Sequence, residues 1–243
     1  FSTVDEVIAS YQSLRIAKPA KNSLQQLLAT HFLVGDSRGN CASIEFIGGE
    51  MVCHVGQSMP VKVLSNSPYD LSVAVLGLFQ GFGGFFPIPH PESDRLSLIR
   101  FAIAADMVQK YGSQGSVPAV DYAFQILQDI EVTPAHDTAL YSIVYDSSNR
   151  QIQFHPWSDD RIRRINLSAL DFSCTTPVKV LDITADLEGD VSNNFIDYTK
   201  EINLEMLGYL AGLPDEAIED LASYPDTTVC TTDTDNTTAA NMQ

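Results

Sequence analysis

Arg100 has a setting that suggests chemistry, because its permanent charge lies beside apolar residues. It follows Ile99 and precedes Phe101 and Ile103, in a stretch whose apolar residues recur at helical spacing. A guanidinium placed in this way requires a carboxylate or another hydrogen-bond acceptor. Taken alone, Arg100 also fits an ordinary surface salt bridge, and Arg95 is a competing candidate on the same stretch.

Asn66 is the second candidate, in a loop that reads Ser65-Asn66-Ser67-Pro68. From the residues alone, the simpler interpretation is an Asx-type turn before Pro68, since Asn side chains bond readily to nearby backbone. A role in chemistry would require the neighbouring strands and helices to hold the Asn66 amide in a defined place.

A predicted hairpin precedes this loop. Gly48-Gly49 separates two apolar-rich runs, and glycine tolerates the positive φ that a two-residue turn needs. One face of the hairpin is then wholly apolar and the other is mixed, whereas a one-residue slip would mix both. Cys41 and Cys53 fall on opposite faces, so we expect no disulfide between them. The predicted pairs are Ile47 with Glu50, Phe46 with Met51, Ile44 with Cys53 and Ala42 with Val55.

Together these segments resemble the choloylglycine hydrolase and penicillin V acylase family of N-terminal-nucleophile amidases. The family pattern is an Asp-x-x-Gly turn, Ile-Glu-Phe/Tyr, a hairpin and a Thr-Asn-Ser/Thr-Pro loop. Here the matches are Asp36 to Gly39, Ile44 to Phe46, and the loop at Asn66, with Ser65 where the family usually has Thr. The resemblance covers roughly residues 3–170.

The resemblance implies an α+β fold, the four-layer αββα sandwich of N-terminal-nucleophile hydrolases. In the family the nucleophile is an N-terminal Cys whose free α-amino group is the general base, whereas residue 1 here is Phe. We therefore expect a C-terminal portion of such a domain, incomplete at its N-terminus and spanning residues 1–226. Residues 227–243, rich in Thr, Asp and Asn, are predicted to form a disordered tail.

The same resemblance implies two catalytic residues. Asn66 would donate its side-chain amide to the oxyanion, and Arg100 would match the Arg that opens a helix at the family's active site. The implied reaction is hydrolysis of a linear non-peptide amide through a thioester, with a small acyl amide as substrate. Two alternatives are an inactive fragment or binding module that keeps the sandwich, and a fatty-acid amidase of the acid ceramidase type.

Composition limits the partners. The net charge of −17 argues against nucleic acid and anionic membranes, because phosphates would be repelled. Acidity fits a protein of salty or extracellular surroundings, although it more simply aids solubility. We expect a periplasmic or secreted location rather than a cytoplasmic one. The four cysteines show no zinc spacing and are expected to be reduced thiols, and the five histidines lack ligand spacing, so no metal or cofactor is expected. The apolar hairpin face needs a cover, which a homo-oligomer or the missing N-terminal portion would provide.

The remaining elements are predicted from periodicity and turn signals. Arg161, Arg163 and Arg164 alternate with isoleucines and are expected on the exposed face of a strand. Asp186, Glu188 and Asp190 are interpreted as a solvated turn. The predicted helices are 3–15, 69–79, 93–111, 118–130, 193–210 and 215–223, and the further strands are 139–145, 151–155, 161–167 and 178–183.

Overall fold

The computed structural model describes residues 1–10, 31–48, 50–89, 96–113, 117–131, 141–156, 158–207, 218–219 and 222–223. Helices and mostly antiparallel strands occupy separate stretches of these ranges, so the α+β class is as predicted. Arg95, residues 11–15, most of the predicted helix 215–223 and the predicted tail 227–243 lie outside the described residues. The helices are α1 (Val4–Ala9), α2 (Tyr69–Leu76), α3 (Ser97–Lys110), α4 (Ala119–Asp129) and α5 (Lys200–Leu207).

The first sheet has the order β1 (Phe32–Gly35), β2 (Cys41–Ile47) and β3 (Glu50–Val55), all antiparallel. Every predicted pair of the β2–β3 hairpin is confirmed, from Ile47 opposite Glu50 to Ala42 opposite Val55. Gly48 has a φ of +64°, as the turn requires.

Both faces of this sheet carry buried side chains. Ala42 and Ile44 are buried on the apolar face. On the mixed face Ser43, Glu45 and His54 are also buried. The mixed face is therefore as much part of the interior as the apolar one, and a carboxylate lies within it.

The main core lies between α2 and α3. Tyr69, at the start of α2, and Phe101, in α3, are fully buried, and their rings meet edge to face with centroids 5.9 Å apart. In α3 the buried run is Phe101–Ala105. Leu96 and Val108 lie at helical spacing with Ile99 and Ile103, which predicts that they are buried, but both are exposed. The small alanine side chains of α3 let neighbouring segments pack against more than one of its sides. A single apolar stripe predicts burial on one side only.

The second sheet has the order β4 (Tyr141–Asp146), β5 (Gln151–Pro156), β6 (Arg163–Asn166) and β8 (Gly189–Asp190), and β6 pairs with β8 in parallel. A separate two-stranded sheet pairs β7 (Lys179–Val180) with β9 (Ile196–Asp197). The predicted helix 193–210 is thus wrong in its first part, because residues 196–197 form a strand and α5 begins at Lys200. Pairing with a distant strand overrides the local helical pattern there.

Arg163 contradicts the predicted exposed face. Arg163 is only 1% exposed. Its guanidinium donates to Asp159 Oδ2 at 2.6 Å and to the carbonyl oxygens of Arg161 and Ala185. Contacts from two separate segments therefore supply the acceptors that make burial of this charge possible. Arg164, the next residue, is exposed as predicted.

The cysteines differ in state. Cys41 and Cys53 are free thiols, as the hairpin register predicts. Cys174 is disulfide-bonded, so the prediction of four reduced thiols is wrong. Spacing alone could not reveal this bond, because the fold decides which cysteines meet. Cys230, the fourth cysteine, lies outside the described residues.

Candidate active site

The structure brings the two predicted site residues together. Arg100, in the first turn of α3, donates from Nη2 to Oδ1 of Asn66 at 3.2 Å. The amide oxygen of Asn66 is thus among the acceptors that the guanidinium requires. Asn66 is exposed and Arg100 half-buried, so the pair is open to a ligand on one side while the helix holds it from the other.

This contact assigns the orientation of the Asn66 amide. An arginine has donors only, so the atom facing Arg100 Nη2 must be the carbonyl oxygen Oδ1. The amide nitrogen Nδ2, with its two hydrogens, is then the group that can donate elsewhere. The two N–H groups of Asn66 Nδ2 are therefore oriented donors in an accessible loop. An oxyanion site requires oriented donors of this kind.

Ser97, the first residue of α3, joins the Asn66 loop to that helix. Its hydroxyl accepts a hydrogen bond from the backbone N–H of Ser67 at 2.7 Å and donates to Ser65 Oγ at 3.0 Å. Both neighbours of Asn66 are thus bound to the helix that also carries Arg100. A hydroxyl at position 65 is sufficient for this contact, so the departure from Thr to Ser preserves it.

The other side of the loop is bound to α2. The hydroxyl of Ser72, which is buried, donates to the carbonyl oxygen of Pro68 at 3.0 Å and contacts that of Ser67 at 3.4 Å. Pro68 is the N-cap residue of α2 and makes no side-chain capping bond. The loop is therefore held between the N-terminal ends of two helices.

Glu45 is a residue of this site that the sequence interpretation missed. It lies in β2 and is 3% exposed, and both its carboxylate oxygens accept from the backbone N–H of Tyr69, at 3.1 and 3.0 Å. The sequence holds one signal for it, a carboxylate between Ile44 and Phe46 in a strand that is predicted to be buried. A buried charge must be paired or hydrogen-bonded, so such a residue is expected to have a specific partner.

Two histidines lie next to Glu45. His31 Nδ1 is 3.6 Å from one carboxylate oxygen and His54 Nε2 is 3.7 Å from the other. The ring of His54 also packs against that of Tyr69, tilted by 36° with centroids 4.8 Å apart. His90 and His136 lie outside the described residues. Among the histidines that the structure describes, His54 is buried in the interior. This agrees with the absence of metal-ligand spacing around it.

Asp36 forms the turn that the Asp-x-x-Gly pattern predicts, and its bonds are structural. Its carboxylate accepts from the backbone N–H groups of Arg38 and Asn40 and from the Asn40 side chain. A fourth bond, at 3.3 Å from the N–H of Val4, ties this turn to the start of α1. The Asn40 side chain and these N–H groups hold the pKa of Asp36 below its ordinary value.

Neither free thiol is suited to act as a nucleophile. Burial raises the pKa of Cys41 and of Cys53 above the ordinary value for a thiol. The thiolate is the reactive form, so both residues stay mainly protonated at neutral pH.

Other candidate sites are weak. In the described ranges no group of three or more His, Cys, Asp and Glu residues could hold a metal ion. Asp186 and Glu188 instead face Arg161, at 2.6 and 3.9 Å.

None of the described helices is long and apolar enough to span a bilayer. An apolar cavity of about 290 Å³ lies on the second sheet, lined by Tyr141, Ile143, Ile152, Phe154, Ile165 and Ile183.

Comparison with known proteins identifies similar sequences and folds. No family model matches the chain. It is 30% identical over 132 residues to a penicillin V acylase from Pectobacterium atrosepticum, which covers 53% of this chain and 34% of that protein. A solved penicillin V acylase from Agrobacterium tumefaciens superposes with a TM-score of 0.65 at 21% identity, over 82% of this chain and 64% of that one.

A variant of conjugated bile acid hydrolase from Clostridium perfringens superposes with a TM-score of 0.55 at 17% identity, over 70% of this chain and 60% of that one. The chain thus spans about a third of the curated relative and less than two thirds of these solved proteins. The predicted resemblance to the choloylglycine hydrolase and penicillin V acylase family is confirmed, and the α+β fold of the chain is similar to that of these solved proteins.

Proposed function

We propose, from the likeness to penicillin V acylases in sequence and fold, that this chain forms part of a hydrolase that cleaves the C–N bond of linear, non-peptide amides. The observation that carries the proposal is the hydrogen bond from Arg100 Nη2 to Asn66 Oδ1. It links the two residues that the family resemblance marks as catalytic, and it leaves the Asn66 amide nitrogen as the donor side.

In the proposed reaction a thiolate attacks the amide carbonyl, and the carbonyl oxygen gains negative charge. Asn66 Nδ2 donates to that oxygen, which lowers the barrier because the donor is already oriented before the charge develops. The α-amino group that took the thiol proton returns it to the leaving nitrogen, so the tetrahedral intermediate expels a neutral amine and leaves a thioester. Water then hydrolyses the thioester to the carboxylic acid and the free thiol. Arg100 supports the step by holding the Asn66 amide in place.

The proposed nucleophile is an N-terminal Cys that is not among these 243 residues. The raised pKa values of Cys41 and Cys53 argue against either of these thiols in this role. The general base would be the α-amino group of the same Cys. On this proposal the 243-residue chain alone has no amidase turnover, and it associates with the portion that carries the Cys or with further copies of itself.

The proposed substrate is a small acyl amide with an apolar acyl group, and no cofactor takes part. Penicillin V and a conjugated bile acid are the probes that the relatives suggest. We also propose an oxidising, periplasmic or secreted location, since Cys174 is disulfide-bonded and such bonds persist in oxidising compartments. Mass spectrometry of unreduced protein from its native host tests this location: a reduced Cys174 would contradict it.

The experiment is an assay of the complete protein that contains these residues. Amine release from penicillin V and from a glycine-conjugated bile acid is measured before and after alkylation with iodoacetamide. We expect turnover of at least one substrate and its loss on alkylation, with the 243-residue chain inactive in parallel. Turnover that survives complete alkylation, or no hydrolysis of either probe, would overturn the proposal.

A further inference from the structure

We infer that Glu45 is a positioning residue for the Asn66 loop, acting through the first turn of α2. The inference rests on the proposed function, because it concerns the same oxyanion donor. Neither the sequence pattern nor the relatives assign Glu45 this role. Three observations carry it: the burial of its carboxylate, the bond that this carboxylate makes, and the position of the bonded residue three places after Asn66.

The bond is placed where α2 needs an acceptor. The first backbone N–H groups of a helix have no partner within the helix, and the N-cap residue Pro68 has no side chain to supply one. Glu45 reaches from β2 and accepts the N–H of Tyr69 with both oxygens, at 3.1 and 3.0 Å. The positive end of the helix dipole further favours a carboxylate at this point.

Tyr69 is itself immobilised, so the bond transmits a fixed position. Its side chain is fully buried, and its hydroxyl donates to the carbonyl oxygen of Val61 at 2.8 Å. Burial raises the pKa of the Tyr69 hydroxyl, which therefore remains a donor at neutral pH. With Tyr69 held at both ends, the chain that leads back to Asn66 has only Ser67 and Pro68 between the two residues.

The carboxylate of Glu45 lies between two histidine rings. His31, just before β1, and His54, in β3, lie 3.6 and 3.7 Å from its two oxygens. Asp70, the residue after Tyr69, lies 3.7 Å from the other ring nitrogen of His54. The two histidine rings and the Tyr69 N–H surround the Glu45 carboxylate, and Asp70 in turn contacts the ring of His54. The position of Glu45 is therefore set by the first sheet and the residue that precedes it. The sheet thereby determines where α2 begins and where Asn66 lies.

Removing this bond would loosen the loop without touching substrate. We expect Glu45→Ala to lower kcat by about 10²-fold, the loss typical of a small misplacement of a reacting group, with KM little changed. Glu45→Gln keeps one oxygen acceptor and should recover part of kcat. The matched control is Glu50→Gln, because Glu50 is an exposed carboxylate of the same hairpin and should leave kcat unchanged.

The deciding experiment combines these kinetics with hydrogen exchange in the complete protein, followed by mass spectrometry of a peptide covering residues 65–72. In Glu45→Gln we expect exchange in this peptide about 10-fold faster than in wild type, because one charge-assisted bond is weakened. Glu50→Gln should match wild type. Unchanged exchange, or a lower Tm with unchanged kcat, would overturn the inference.

The two proposals fail in different ways. If the wild-type protein hydrolyses no acyl amide, the proposed function fails, and the exchange of residues 65–72 alone decides whether Glu45 positions the loop. If wild type is active and Glu45→Gln keeps full kcat, the function stands and the role of Glu45 is refuted. If Glu45→Ala does not fold, Glu45→Gln supplies both readouts.

Discussion

Arg100 donates from Nη2 to Oδ1 of Asn66 over 3.2 Å, although the two residues are 34 positions apart in the sequence. The bond joins the start of α3 to the loop before α2. Since arginine cannot accept a hydrogen bond, it also determines which end of the Asn66 amide can donate to a ligand. The orientation of one side chain thus depends on the packing of two helices.

Replacing Arg100 should impair catalysis more than binding. We expect Arg100→Met to lower kcat by about 10²-fold, because the Asn66 amide loses its orientation. Arg100→Lys should recover little, since a lysine lacks the planar fork of donors. Steady-state kinetics on penicillin V measure this effect, with the exposed Arg38 changed to Met as the control. A higher KM with unchanged kcat would instead place Arg100 in substrate binding.

The hairpin was predictable because strand side chains alternate with a period of two. One register alone gave a wholly apolar face from Ala42 to Val55, and the structure has that register. The burial of Glu45 was not predictable in the same way. Its partner is the backbone N–H of Tyr69, and no local pattern indicates which helix begins beside a given strand.

Arg163 illustrates the same limit. Alternation of charged and apolar residues predicts an exposed charge, but the acceptors of Arg163 come from Asp159 and from the carbonyl oxygen of Ala185 in a distant loop. Asn66 and Arg100 were each predicted as site residues only through the family resemblance, and the bond between them was not predicted. From the residues alone, a turn and a surface salt bridge were the simpler interpretations.

Arg163 should be important for stability. Arg163→Met removes a buried charge that holds Asp159 and two carbonyl oxygens, and we expect it to lower the free energy of unfolding by roughly 3 kcal/mol. Arg164→Met, on the same strand but exposed, should change it by less than about 0.5 kcal/mol. Urea unfolding of both variants measures the difference. If Arg163→Met lowered the free energy of unfolding no more than Arg164→Met is expected to, the stabilising role of the buried guanidinium would be refuted.

Asp159 should make stability depend on pH in the acid range. Hydrogen bonds from Arg161 and then Arg163 hold its pKa far below the ordinary value. Because the folded state binds this proton less readily than the unfolded chain, the stabilisation is complete above about pH 4, the unfolded pKa. It is lost as the pH falls from there towards the folded pKa.

Urea unfolding of wild type and Asp159→Asn at pH 6 and pH 3 checks this direction. The wild type should be the more stable protein at pH 6, and its advantage should narrow at pH 3. An advantage that stays constant or widens on acidification would show that the Asp159 carboxylate gains no stability from its arginine partners.

The most direct test of Asn66 as the oxyanion donor is kcat of Asn66→Ala in the complete protein, with penicillin V as substrate. We expect kcat to fall by about 10²–10³-fold, the usual loss for one such donor, while Tm stays that of wild type. Ser67→Ala, in the same loop, keeps the backbone N–H that bonds to Ser97 and serves as the control. An unchanged kcat in Asn66→Ala would show that Asn66 is only a turn residue and would contradict the proposed site.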